Sequence, residues 1–128
     1  MIDETAMASV FAMIGEVGFA RVVAGFYRRV PTDDLLGPMY PPHDLAAAEQ
    51  RLRDFLIYRF GGPQRYIAER GHPRLRMRHG PFEITVAARN RWLELMTAAI
   101  TDAKLPDSAV AIMLPFLADT ATMVVNQF

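Results

Sequence analysis

Cysteine is absent from this chain of 128 residues, which excludes disulfides, thiolate nucleophiles and thiolate metal ligands. Net charge is absent as well: fourteen Lys and Arg balance fourteen Asp and Glu. A neutral domain lacks the cationic excess that neutralises phosphates, so nucleic acid is not expected as a main partner. Apolar residues make up 52% of the chain but fall in short, interrupted runs, and neither a membrane-spanning helix nor a membrane partner is expected. The first residues, Met1-Ile2-Asp3-Glu4, are acidic and lead into a mixed segment unlike a secretory signal. The expected location is cytoplasmic. Repeats, low-complexity linkers and shifts of composition are missing too, so residues 1–128 are expected to form one domain.

No stretch alternates in the manner of a strand; Thr85-Val86 is the only strand-like pair, and it is too short to count. What is present is helical spacing. Phe19, Val22, Val23, Phe26, Tyr27 and Val30 share one helix face, ended by Pro31. Leu45, Ala48, Leu52, Phe55, Leu56 and Phe60 make a second, with Asp44 as its expected N-cap and Gly61-Gly62-Pro63 as its stop. Trp92, Leu95, Met96, Ala99 and Ile100 make a third. Val110, Met113, Leu114, Leu117, Ala121, Val124 and Val125 make a fourth, with a kink expected near Pro115. A shorter helix is expected over Ala6–Met13, before Gly15. Met96, Met113 and Met123 fall on these faces and are expected to fill the core. The fold class is all-α.

Between the second and third helices lies Pro63 to Phe82, broken at Gly71-His72-Pro73. So long a span without a long helix is more often functional than idle in a compact domain. It contains Arg74-Leu75-Arg76-Met77-Arg78-His79, closed by Gly80-Pro81. A neutral imidazole is a common metal ligand, and guanidinium groups pair with carboxylates. A haem uses both, one for its iron and one for its propionates. Taken alone the stretch is equally compatible with a solvated histidine and an exposed cationic face. His43 and His72 are weaker ligand candidates, one at a helix entrance and one before Pro73. Two tyrosines, Tyr27 and Tyr40, and the single tryptophan, Trp92, bring donors that need acceptors if buried.

Taken together, Phe26-Tyr27, Met39-Tyr40-Pro41, Asp44-Leu45-Ala46-Ala47-Ala48-Glu49-Gln50-Arg51-Leu52, Phe60-Gly61-Gly62-Pro63, the run Gly71 to His79, and Arg91-Trp92 resemble the group II (O-type) truncated haemoglobins, over residues 10 to 127. The resemblance implies a globin-like, truncated two-over-two helical sandwich around haem b. It implies His79 as the iron ligand, Tyr27, Tyr40 and Trp92 as the distal polar trio, Ala48, Leu52 and Phe55 as distal apolar contacts, and Leu75 packed beneath the porphyrin. Arg51 and Arg78 are expected to reach the propionates. Two departures stand out. Gly15 is followed by Glu16-Val17-Gly18 where the family often has a Gly-Gly pair, and Phe60 replaces a common tryptophan.

The functional implication is binding of the diatomic gases oxygen, carbon monoxide and nitric oxide, with nitric oxide dioxygenase or peroxidase-like turnover as its extension. No flavin or nicotinamide motif is present, so turnover requires an external reductase. Each distal hydrogen bond to a bound ligand would contribute roughly 1–3 kcal/mol and slow its escape about tenfold or more. The alternative is a non-catalytic oxygen or redox sensor, or a ligand-storage protein. A haem-free helical interaction module is the third reading. A homodimer is a further implication of the resemblance.

Overall fold

The computed structural model describes residues 3–127; Met1, Ile2 and Phe128 lie outside the described residues, and with them part of the N-terminal reading. Helix α1 (Glu4–Arg29) starts where the Asp3 carboxylate accepts the backbone N–H groups of Thr5 (3.0 Å) and Ala6 (3.2 Å). It is broken at Gly15, whose φ of 63° and ψ of −176° are outside the helical range. The expected short first helix is therefore one arm of a bent α1, and Gly15 alone makes the bend. Pro31 ends the second arm in a tight turn, Val30–Thr32. By length and composition Glu4–Thr32 could cross a membrane, which the interrupted runs had not suggested. Its apolar side is occupied by protein instead: Phe19, Val22, Val23 and Phe26 are fully buried.

Two further turns, Gly37–Met39 and Pro42–Asp44, lead into α2 (Leu45–Arg59). Asp44 occupies the N-cap position but makes no capping bond, because its carboxylate is drawn to Arg51 (2.7 Å). After α2, Gly61 adopts φ 95°, and a Cβ there would stand 2.3 Å from the Ala8 carbonyl oxygen. Glycine thus lets the end of α2 touch the backbone of α1, a contact sealed by the Phe11 N–H donating to the Phe60 carbonyl (3.0 Å). The Phe60 ring stacks on Phe19 (5.8 Å) and meets Phe116 edge-on (5.2 Å), so this departure from the family's tryptophan serves packing.

The Pro63–Phe82 span contains only two short helices, α3 (Arg65–Arg70) and α4 (Leu75–His79). Helix α5 (Val86–Ala103) begins earlier than its apolar face suggested, capped by the Thr85 hydroxyl accepting from the Ala88 N–H (3.0 Å). Thr85 also forms an isolated bridge with Gln127, the only β pairing among the described residues. Helix α6 (Asp107–Met123) runs through Pro115 without interruption. Met96 and Met113 are buried as core filler, whereas Met123 is exposed near the end of α6. Helix α1 packs chiefly on α5 and then on α2, and α5 packs on α6. The two pairs, α1 with α2 and α5 with α6, form a globin-like two-over-two sandwich.

Candidate functional site

A cavity of about 580 Å³ opens between α2, α4, α5 and α6. Its walls bring together Tyr27, Tyr40, Ala48, Arg51, Leu52, Phe55, Leu75, Arg78, His79 and Trp92, residues drawn from five separate parts of the chain. His43 and His72 do not line it.

His79 sits at the C-terminus of α4, half-buried, and its Nδ1 lies 2.7 Å from the Leu75 carbonyl oxygen one turn earlier. A carbonyl oxygen only accepts, so Nδ1 carries a proton, and in the neutral imidazole Nε2 is then the nitrogen with the lone pair. His72 is exposed, with Nδ1 accepting from the Arg74 N–H (3.0 Å).

Tyr27, Tyr40 and Trp92 cluster around the buried ring of Phe26. Tyr27 and Tyr40 meet edge-on at 5.8 Å, and Phe26 lies 5.2 Å from Tyr27 and 5.5 Å from Trp92. Burial pushes the Tyr40 phenol up to about 12, with the neighbouring Trp92 opposing. Burial, and then Tyr40 beside it, hold the Tyr27 phenol well above the ordinary range. Both phenols therefore stay protonated, as donors, at neutral pH. Among the described residues the one fully enclosed side-chain N or O atom without a partner is Asp54 Oδ1. Tyr27, Tyr40 and Trp92, which carry the two phenol oxygens and the indole nitrogen, all line the cavity.

The loop carrying Tyr40 is fastened to the helix carrying Trp92. The Asp33 carboxylate accepts the N–H groups of Leu35 (3.1 Å) and Leu36 (2.7 Å) and pairs with Arg91 at 2.6 Å. Arg91 also reaches Asp34 (2.9 Å) and Glu94 (3.5 Å). Burial opposes ionisation of Asp33, but the Leu36 and Leu35 N–H groups and Arg91 outweigh it and hold the carboxyl below its usual range.

The two arginines expected at propionates both line the cavity and both have partners. Arg51 pairs with Asp44; Arg78 donates from Nε to the Pro73 carbonyl (2.7 Å) and from Nη2 to that of Arg70 (3.3 Å). Arg74 and Arg76 point to solvent. Tyr66, Ile84 and Ala88 line the cavity without having been singled out from sequence, and Leu117 and Ala121, read there only as an apolar helix face, line it too. Ala88 stands one turn before Trp92 on α5, and extending that i, i+4 row would have found it. Tyr66 packs edge-on against Phe55 at 5.5 Å, a contact between helices that no local spacing announces.

The family model for the bacterial-like globin matches residues 9–126. The chain is 37% identical to the Group 2 truncated hemoglobin of Bacillus subtilis (strain 168), over 91% of this chain and 88% of that protein. Among solved structures, it superposes on a thermostable hemoglobin from the actinobacterium Thermobifida fusca with a TM-score of 0.87. The identity there is 44%, over 91% of this chain and 96% of the other. A truncated oxygen-avid haemoglobin from Bacillus subtilis gives a TM-score of 0.86 at 36% identity, over 91% and 98% of the two chains.

Proposed function

The chain belongs to the bacterial-like globins, within their group II truncated haemoglobins, and on that premise we propose that it holds haem b in this cavity through His79 to bind oxygen, carbon monoxide and nitric oxide. Globins carry a haem and bind diatomic gases such as oxygen. The b type is part of this reading; a chain without cysteine has no thioether through which to tether a porphyrin covalently.

The residues present suit that group. Among the described residues no cluster of three or more His, Asp or Glu side chains could hold a metal by itself. A lone imidazole with a free lone pair instead suits a metal already held in an organic ring. Leu52, Phe55 and Leu75 supply apolar walls, and Arg51 and Arg78 supply cations for propionates. When bound, the haem supplies a ferrous iron with a position open to a diatomic gas.

His79 would hold the iron of such a group through Nε2, and the Leu75 carbonyl orients its ring by accepting from Nδ1. Tyr27, Tyr40 and Trp92 offer O–H and N–H donors toward the ligand. Their rings brace one another, so the donors are preorganised where negative charge develops. Strong donation slows ligand escape, which favours redox turnover with nitric oxide or peroxide over rapid delivery. Such turnover draws electrons from an external reductase. The same reading includes a cytoplasmic setting and a homodimer, which sedimentation would test.

The observation that carries this reading is the His79 imidazole, with Nδ1 committed to a carbonyl and Nε2 free, in the cavity that the three donors share. The test is an absorption spectrum of the purified protein, ferric and then reduced under carbon monoxide. A Soret band that shifts and sharpens is expected; no band after adding hemin would overturn the reading. Repeated consumption of nitric oxide or peroxide with a reductant then separates turnover from storage or sensing.

A further inference from the structure

We propose that the outer face of the stretch from Arg70 to Phe82 is a docking surface for a small acidic one-electron carrier protein. The proposal rests on the redox reading above, because only turnover requires repeated delivery of electrons.

Between Glu69 and Glu83 stand Arg70, Arg74, Arg76 and Arg78 without one acid, in a chain whose formal charge is zero. Elsewhere, among the described residues, Arg29, Arg51, Arg59, Arg65 and Arg91 each reach a carboxylate, whereas Arg21, Arg28, Arg53 and Arg89 do not but are scattered along the chain. None of the four in this stretch does so among the described residues. Arg78 bonds backbone carbonyls, and Arg70 lies over the Tyr66 ring at 5.9 Å. Uncompensated like charge on one short segment disfavours the compact state. The segment also holds Arg74 in the left-handed region at φ 46°.

The same stretch exposes two large apolar side chains, Met77 at 60% and Phe82 at 45%. Exposed apolar side chains interleaved with cations along one short segment are the composition of a transient interface steered by charge. Weak redox encounters use small interfaces of this kind. Position gives the surface its use. Arg70, Arg78, His79 and Phe82 line the cavity, whereas the exposed Arg74, Arg76 and Met77 do not, so these three mark the outside of the wall that carries His79. A carrier seated there is one wall away from the haem. One electron leaves the carrier's reduced centre, ferric iron becomes ferrous, and no bond or proton changes hands. Charge complementarity requires the carrier's docking face to be acidic.

The test uses the ferric holoprotein and an acidic plant-type [2Fe–2S] ferredoxin as probe. Binding of the oxidised ferredoxin is measured by calorimetry, and reduction by the photoreduced ferredoxin by stopped flow. Both should weaken about tenfold between low ionic strength and about 0.2 M salt. Arg74→Glu with Arg76→Glu should cost about tenfold or more at low salt, and the two Gln substitutions an intermediate amount. Reduction by dithionite should be unchanged in all of them. Arg28→Glu with Lys104→Glu makes the same charge change elsewhere and should have little effect.

Equal loss in that control pair, no salt dependence, or adsorption to phosphatidylserine vesicles without response to ferredoxin would overturn the proposal. The two readings can fail separately. Turnover driven equally well in wild type and Arg74→Glu/Arg76→Glu would sink the surface and leave the redox chemistry. Salt-sensitive docking and reduction without repeated consumption of nitric oxide or peroxide would do the reverse.

Discussion

Tyr27 and Trp92 stand on helices of 26 and 18 residues, whereas His79 stands on one of five, preceded by one of six. The long helices bury Phe19, Val22, Val23, Phe26, Met96 and Ile100 against one another. The short ones contribute one buried side chain, Tyr66, and α4 contributes none. An isolated helix of five residues is not stable in water, since its nucleation cost is never recovered. The donor side of the cavity is therefore built to persist on its own, and the ligand side depends on what fills the cavity. On the proposed reading, haem would act as a folding partner for one region and a guest for the other.

Glycine substitutions sharpen this contrast most strongly. Gly61 and Gly71 both have positive φ, 95° and 74°. A Cβ at Gly61 meets the backbone of Ala8 at 2.3 Å, whereas nothing lies within 4 Å of one at Gly71. Gly61→Ala should cost about 4 kcal/mol, combining strain with overpacking, and Gly71→Ala about 1–3 kcal/mol from strain alone. Denaturant melts of the two variants read the difference. Equal costs would mean the frame yields as readily as the short segment.

Removing the proposed ligand imidazole tests the dependence directly. His79→Ala should lower haem affinity on the order of 100-fold, whereas His43→Ala should leave it unchanged. Hydrogen exchange should then show α3 and α4 losing protection while α1 and α5 keep theirs. Equal haem retention in both variants would refute the ligand assignment. Full protection of α4 without haem would refute its dependence on the cavity's contents.

On the donor side the expected effects are kinetic. Trp92→Phe and Tyr40→Phe keep a ring and remove one donor, so each should speed oxygen dissociation about tenfold with little change in melting. Unchanged rates in both would mean those groups do not face the ligand.

The contrast also governs what could be read from the sequence. The long helices announce themselves through i, i+3, i+4 rows of Phe, Val and Leu, and Gly61-Gly62-Pro63 marks the end of α2 correctly. Tyr40 beside Trp92 was not legible from spacing, because 52 positions of chain separate them; only resemblance put them in one site. Asp44 stands at the N-cap position as its spacing suggested, but its carboxylate makes no capping bond because Arg51, two turns on, competes for it. The early start of α5 was missed because Val86, Ala87 and Ala88 carry little apolar contrast, and Thr85 has to be recognised as a cap rather than a strand residue. The union of Tyr40's loop to α5 through Asp33 and Arg91 was invisible for the same reason as the pairing of Tyr40 with Trp92.

That union supplies the smallest effect and the finest test of the donor side. Arg91→Met removes one of three partners that keep Asp33 ionised, leaving the Leu35 and Leu36 N–H groups. The sign follows from the depressed carboxyl: its contribution to stability is complete above the ordinary carboxylate range and is lost as pH falls through the folded value. The melting difference between wild type and Arg91→Met should therefore be constant above about pH 5 and shrink toward zero below it. Arg91→Lys should recover part of it, since an ammonium restores the charge without the guanidinium fork that reaches both Asp33 and Asp34. Oxygen dissociation in Arg91→Met should rise by less than in Tyr40→Phe, because the donor is loosened and not removed. A melting difference that stays constant down to pH 3 would mean Arg91 acts through its aliphatic packing, and the loop holding Tyr40 would owe its place to the aromatic cluster alone.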